Sequence, residues 1–218
     1  YPLEESKQRS SLLSKTELTG LQRQLTEYDR TREKLLELTR RTGRLASWAI
    51  IQIHREQISK AKITLSDAEE SISQIRNLLD ERSEFKQTGY VMVAFQEFAE
   101  AKILFSFASR RKLLSQRDAG ADWMPYLLGI LDFLGELRRM TMDQLKGGKL
   151  KEAQGTFESM EALFEDLLSL DRTSIIPTFR RKMDVAKKLV EATRADVIAD
   201  IRRASLEKAI KNLEKRIR

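Results

Sequence analysis

From about Thr16 to Gln57 apolar side chains recur every three or four residues, at Leu18, Leu21, Leu25, Tyr28, Leu35, Leu38 and Leu45, and then through Trp48 to Ile53. A period of about 3.6 residues kept up over that length predicts one long helix, with Gly43 as the place where it can bend. A helix this long must lay its apolar face against others of similar length. The rest of the chain supplies them: it has only nine Gly and three Pro in 218 residues, with 33% charged and 41% hydrophobic residues, the composition of helices joined by short loops.

A second helix is predicted to start at Ser66-Asp67-Ala68-Glu69, which has the Ser-x-x-Glu form of a capping box, and to run to about Ser83 behind Ile72, Ile75, Leu78 and Leu79. A third follows from about Thr88 and continues or breaks into RRKLLS at Arg110 to Ser115; QRDAGAD reads as a loop. The next runs from Met124 to about Lys146, closed by Gly147-Gly148. Another spans Leu150 to about Leu170, burying Phe157, Met160, Leu163, Phe164 and Leu167. After Pro177 a last long helix carries Phe179, Met183, Ala186, Leu189, Val190, Val197 and Ile201, and its stripe continues at Leu206, Ile210, Leu213 and Ile217. The expected fold is all-α: an antiparallel bundle of six or seven long helices with no strands and no repeat of 20 to 50 residues. It reads as one domain over residues 1–218, with an N-terminal segment at 1–15 and a helical C-terminal extension at 203–218.

The absence of Cys excludes disulfides and thiolate metal sites, and with no signal-like N-terminus the expected location is cytoplasmic. No apolar run approaches the roughly 20 residues of a bilayer span. A net charge of +7 suits a polyanion partner as well as it suits plain solubility.

Four acids stand out. In YVMVAFQEFAEAKILFSFAS, Tyr90 to Ser109, Glu97 and Glu100 lie one above the other on a helical face with Tyr90, Val93, Ala101, Leu104 and Phe107, while Lys102, Ser106 and Arg110 lie behind. Unpaired charges on an apolar stripe cost several kcal/mol or are driven neutral. Asp132 and Glu136 share a second face with Leu128, Gly129, Gly135 and Arg139, where their like charges repel. Gly129 and Gly135 would let the Glu97 helix come close, gathering an all-oxygen cluster that suits Mg²⁺ or Mn²⁺. Three readings compete. The acids pair with Lys102, Arg138, Arg139 or another helix's basic residue; or they form a di-iron carboxylate site, which needs two Glu-x-x-His motifs where this chain has a single His; or they bind a cation that activates water for hydrolysis of a phosphodiester. Spacing leaves the first and third open.

QEFAEA at Gln96 to Ala101 and YLLGILDFLGELRRM at Tyr126 to Met140 together resemble translin-associated factor X of the translin superfamily. EYDRTREKLLELTRRTGRLASWAIIQIHR, Glu27 to Arg55, is similar to that family's long first helix, and FRRKMDVAKKLVEATRADV, Phe179 to Val197, to its last. The resemblance spans roughly Glu27 to Arg202 and implies a bundle that assembles into hollow octamers holding nucleic acid on the inner surface. Translin-type subunits carry apolar or basic residues at most of the acidic positions; factor-X-type subunits keep the acids and cut RNA. By that resemblance Glu97, Glu100 and Asp132 are catalytic ligands of one or two Mg²⁺ or Mn²⁺ ions, and Glu136 is a further ligand found in both branches. The implied activity is a metal-dependent endoribonuclease acting on single-stranded or fraying RNA, with a non-catalytic RNA- or DNA-binding shell as the alternative. There are departures. The family's His- and Arg-rich stretch corresponds to SEFKQTGY, Ser83 to Tyr90, with Lys86 its one basic residue; Pro125 replaces an Asp and should end the preceding turn at Met124.

Candidate RNA contacts are Arg40, Arg41 and Arg44 on the first helix, His54 and Arg55 at its end, Lys86, and Arg139; Arg180, Arg181 and Lys182 make a further basic face. His54 also reads as a helix-end or core histidine, Trp48 and Trp123 as core or subunit packing rather than stacking platforms, and the C-terminal Leu/Ile stripe as intersubunit packing. The expected partners are RNA, as single strands or duplex ends, single-stranded DNA, and further copies of the chain.

Overall fold

The computed structural model describes residues 12–170 and 176–217, and seven α-helices account for nearly all of them. Helix α1 runs without a break from Lys15 to His54. Its start is fixed by a capping box that the sequence reading did not use: the Ser14 hydroxyl accepts from the Glu17 N–H at 3.1 Å, and the Glu17 carboxylate accepts from the Ser14 N–H at 2.9 Å. The remaining helices are α2 (Ile58–Glu81), α3 (Gly89–Arg110), α4 (Gln116–Ala119), α5 (Trp123–Lys146), α6 (Leu150–Leu168) and α7 (Pro177–Ile217). One 3₁₀ turn at Ser83–Phe85 joins α2 to α3.

Three boundaries differ from expectation, and the end of α3, expected to continue or break at Arg110, is a break; each has a local reason. Helix α2 begins eight residues before Ser66, because Glu56 takes a left-handed conformation (φ 59°) and reverses the chain directly after α1. Ser66 is therefore mid-helix and exposed, not a cap. Arg111 ends α3 in the same left-handed way (φ 53°), held by its N–H to the Phe107 carbonyl and by its guanidinium over the Phe107 ring at 5.0 Å. The stretch read as a loop contains α4, capped by Ser115 and closed by Gly120 at φ 71°. Pro125 does not end a turn at Met124 but sits buried in the first turn of α5, where its missing N–H has no intrahelical acceptor to serve.

Helix α3 is the centre of the bundle, packed against α1 and α2 on one side and α5 on the other, and α5 in turn carries α6 and α7. It is accordingly buried nearly all round: Phe98, Ala99, Ile103 and Leu104 are fully enclosed. The single apolar stripe read for it is wrong in two places. Ser106, placed on the polar back, is buried with its hydroxyl donating to the Lys112 carbonyl at 2.8 Å, whereas Val93, placed on the core face, is 48% exposed. One core joins Phe98 to Leu35, Ile72, Ile75 and Phe85; a larger one joins Ile103, Leu104 and Phe107 to Phe133, Leu137, Met160 and Val190. Not all of the periodic apolar residues enter a core. Leu18, Leu21, Leu25 and Tyr28 near the start of α1, and Leu206, Ile210 and Leu213 near the end of α7, are exposed. No helix among the described residues is long and apolar enough to cross a membrane.

Candidate functional site

The site begins at a close helix crossing. A Cβ added at Gly129 of α5 would lie 2.9 Å from the Gln96 carbonyl oxygen and 3.3 Å from the Glu100 N–H nitrogen of α3, so only glycine permits this approach. Gly135 behaves differently from expectation, with nothing within 4 Å of where its Cβ would be; it borders a groove rather than a helix contact. One crossing glycine is enough to bring the two acidic segments together, and Glu100 feels the charges of Asp132, Glu136 and Glu97.

The four acids are treated very differently. Asp132 accepts from the Gln96 side-chain amide at 2.5 Å and is ion-paired with the ammonium of Lys182, delivered by α7. Glu136 accepts from His54 Nε2 at 2.5 Å, with Arg139 further away at 3.9 Å. Among the described residues Glu97 and Glu100 have no ion pair and no side-chain hydrogen bond. Burial raises the Glu97 pKa, and Asp132 adds to it. Burial is also the main cause at Glu100, whose pKa is pushed up to about 8 by desolvation and then by Asp132 and Glu136, against the opposing pull of Lys182.

Of the cations named as partners for the acids, Arg139 reaches Glu136 only at 3.9 Å, and the other two are engaged elsewhere. Lys102 pairs with Glu69 at 3.0 Å, and Arg138 with Asp196 at 3.0 Å and the Thr193 hydroxyl at 2.8 Å. Lys182, read only as part of a basic face, is the cation that enters the site. The site roles of Gln96, read only as the start of the QEFAEA motif, and of Gly43, read only as a bend, were missed. Gly43 of α1 makes a notch for Glu97, whose Oε2 lies 2.5 Å from where a Cβ would stand. The signals were weak ones, a glutamine directly before Glu97 and a glycine inside a helical run.

Two grooves are lined by the acids, one by Glu97 and the other by Glu100 and Asp132. One, of about 560 Å³ between α1 and α3, holds Arg40, Arg44, Trp48, Tyr90 and Glu97; the other, of about 570 Å³ between α5 and α7, holds Glu100, Asp132, Arg181 and Lys182. Each groove thus sets basic side chains beside acids. The other candidate contacts fall elsewhere. Arg41 is exposed on α1 but outside the groove, and Lys86 lines a depression with Arg76, Asp80 and Phe95, on the side of α3 turned away from Glu97. Arg55 lines a third depression with Asp143 and Lys149. His54 is not a surface contact: its ring is 5% exposed, between Glu136 and Asp143, whose Oδ2 is 3.6 Å from Nδ1.

Among the described residues no three acidic or histidine side chains stand as a ready metal cage. The donor set nevertheless suits a hard divalent cation: it is all oxygen, burial and then neighbouring negative charge raise two of its pKa values, and an ammonium already neutralises one member.

An all-helical bundle with acids under its central crossing and basic side chains along the adjoining grooves defines the class of protein. The Translin family model matches residues 15–193, and the chain belongs to that family. It is 31% identical over 202 residues to an uncharacterised protein of Methanocaldococcus jannaschii, covering 91% of this chain and 89% of that one. Among solved structures it is similar to apo-NeC3PO, with a TM-score of 0.80 at 21% identity over 88% of this chain and 100% of that one. It is also similar to AfC3PO in complex with duplex RNA, with a TM-score of 0.74 at 26% identity over 84% of this chain and 96% of that one.

Proposed function

We propose that this protein is a metal-dependent endoribonuclease of the translin-associated factor X type, cutting single-stranded or fraying RNA inside a hollow cytoplasmic homo-oligomer, an octamer by family resemblance. The observation that carries the reading is the pair of unpartnered glutamates, Glu97 and Glu100, held beside Asp132 with raised pKa values. Structural carboxylates normally acquire partners; these two are kept bare. The AfC3PO relative in complex with duplex RNA supports RNA as the ligand.

Glu97, Glu100 and Asp132 would hold Mg²⁺ or Mn²⁺, with Glu136 steadied beside them by His54. When bound, the cation would polarise the scissile phosphate and lower the pKa of attacking water. Gln96 fixes the rotamer of Asp132, and the Gly43 notch fixes that of Glu97. Arg40, Arg44 and Arg181 hold the strand's phosphates without reading sequence. The exposed apolar residues of α1 and α7 offer surfaces for subunit assembly.

The test is to incubate labelled single-stranded RNA with Mn²⁺ or EDTA, for the parent protein beside Glu97→Ala and Asp132→Ala. Cleavage that requires Mn²⁺ and is lost in both variants supports the reading; cleavage surviving both substitutions removes the site assignment. The second reading, a non-catalytic RNA- or DNA-binding shell, is favoured by the Lys182–Asp132 ion pair, which already neutralises one ligand. Binding without cleavage would select it.

A further inference from the structure

We infer that the groove between α1 and α3 is a subsite for one unpaired nucleotide of a single-stranded RNA, with its base stacked on Trp48 and its phosphate held by Arg40 and Arg44. This rests on the nucleic-acid reading above and adds which strand form is engaged and where. Trp48 is 49% exposed, so it is not core packing, and Val93 across the groove is 48% exposed. Two large apolar side chains exposed on the rim of one groove offer a surface that an aromatic base can cover.

Charge selects the occupant. Arg40, Arg44 and Trp48 follow one another at four-residue steps along α1, so two guanidiniums and an indole border one continuous strip of the helix. Among the described residues neither arginine has an acidic partner. An aromatic face flanked by free guanidiniums matches a nucleotide, which offers a π-face and a phosphate about as far apart as neighbouring side chains on a helix. An apolar peptide would leave both arginines unanswered, and a phospholipid would supply the phosphate but no π-face for the indole. The groove also points somewhere: Gly43 lies between Arg40 and Arg44, and its notch receives the Glu97 carboxylate. A phosphate held by these arginines therefore stands next to the acids. Duplex RNA, whose internal bases are already stacked, can offer one to Trp48 only where an end frays.

The experiment reads Trp48 directly in the full chain. In a Trp123→Phe background Trp48 is the one remaining tryptophan. A single-stranded oligouridylate of about eight nucleotides, added in EDTA, is expected to quench its fluorescence saturably, and a blunt duplex of equal length to leave it unquenched. In polarisation assays Trp48→Ala should weaken binding of the oligonucleotide by about tenfold or more, and Trp48→Phe should retain most of it. Sedimentation of the Trp48 variants should match the parent. RNA bound in the polarisation assay without quenching of Trp48 would overturn the subsite while leaving RNA binding intact. A changed sedimentation coefficient in Trp48→Ala with unchanged RNA affinity would assign the residue to subunit packing and overturn it likewise. Failure to bind RNA at all would remove both readings; quenching without any cleavage in Mn²⁺ would remove only the nuclease.

Discussion

Asp132 and Glu100 stand on facing helices and share one small space, yet their surroundings treat their charges in opposite ways. Asp132 accepts an amide at 2.5 Å and is paired with Lys182. Glu100 has neither, and burial beside two other acids pushes its pKa up to about 8. The same functional group is given a counter-charge and an amide donor on α5, and on α3 is held as a neutral acid by burial. The difference comes from α7, which brings one ammonium against the first acid and none against the second. Charge that helix packing leaves uncompensated is met near neutral pH by a proton on Glu100.

Making each acid neutral by an isosteric change should break this symmetry most sharply. Asp132→Asn and Glu100→Gln are both expected to lower Mn²⁺-dependent RNA cleavage by about 100-fold or more. Their stabilities should move in opposite directions. Asp132→Asn leaves Lys182 without its counter-charge and should cost on the order of 1 kcal/mol, since both side chains are a little over one-quarter exposed. Glu100 has a folded pKa above its ordinary value of 4.5, so the folded chain holds a proton that the unfolded chain gives up. The stability contributed by that neutral carboxyl is full below about pH 4.5 and is lost as pH rises through about 8. Glutamine has no such loss. In EDTA, Glu100→Gln should therefore gain on the parent protein as pH rises from 5 to 9, on the order of 3 kcal/mol at the upper end. Urea unfolding at both pH values checks it, and parallel pH dependences would show that Glu100 is ionised in the fold.

The contrast also predicts how a cation would enter. At Glu100 it displaces a proton, and at Asp132 it competes with Lys182. Titration calorimetry with Mn²⁺ at pH 7, in two buffers of different ionisation enthalpy, should show close to one proton released per site, fading above about pH 8. Lys182→Gln removes the competitor and should tighten Mn²⁺ by about tenfold. Unchanged affinity would mean that the ammonium and the ion occupy different sides of Asp132.

How much of this was legible in the sequence follows from how local each cause is. The bundle, its helices and the pairing of the two acidic segments follow from periodicity and from motifs carried on single helices. Gly129 was readable too, as a small residue beside Asp132. Lys182 and Gly43 were not, because their roles depend on how α7 and α1 pack around α3, and nothing in either local sequence encodes that. The faces of α3 were misjudged for a related reason. A helix enclosed on most sides has apolar residues all round, and periodicity then no longer separates a wall from a groove. Similarly, Ser66 has the form of a cap, but the reversal at Glu56 had already started the helix.

The smallest expected effects compare the two walls by adding one methyl group to each. At Gly43 the nearest atom to a new Cβ is the flexible end of Glu97, so Gly43→Ala can be accommodated by moving the carboxylate without moving the backbone. The fold should gain about 0.5–1 kcal/mol from the better helix former, while cleavage falls by about fivefold as Glu97 leaves its notch. At Gly135 nothing lies within 4 Å, so Gly135→Ala should bring the same gain in stability with cleavage changed by less than about twofold. Thermal unfolding and cleavage rates on the two variants separate the walls. Equal losses of activity would mean that Glu97 owes nothing to its glycine notch, and that its position comes from α3 alone.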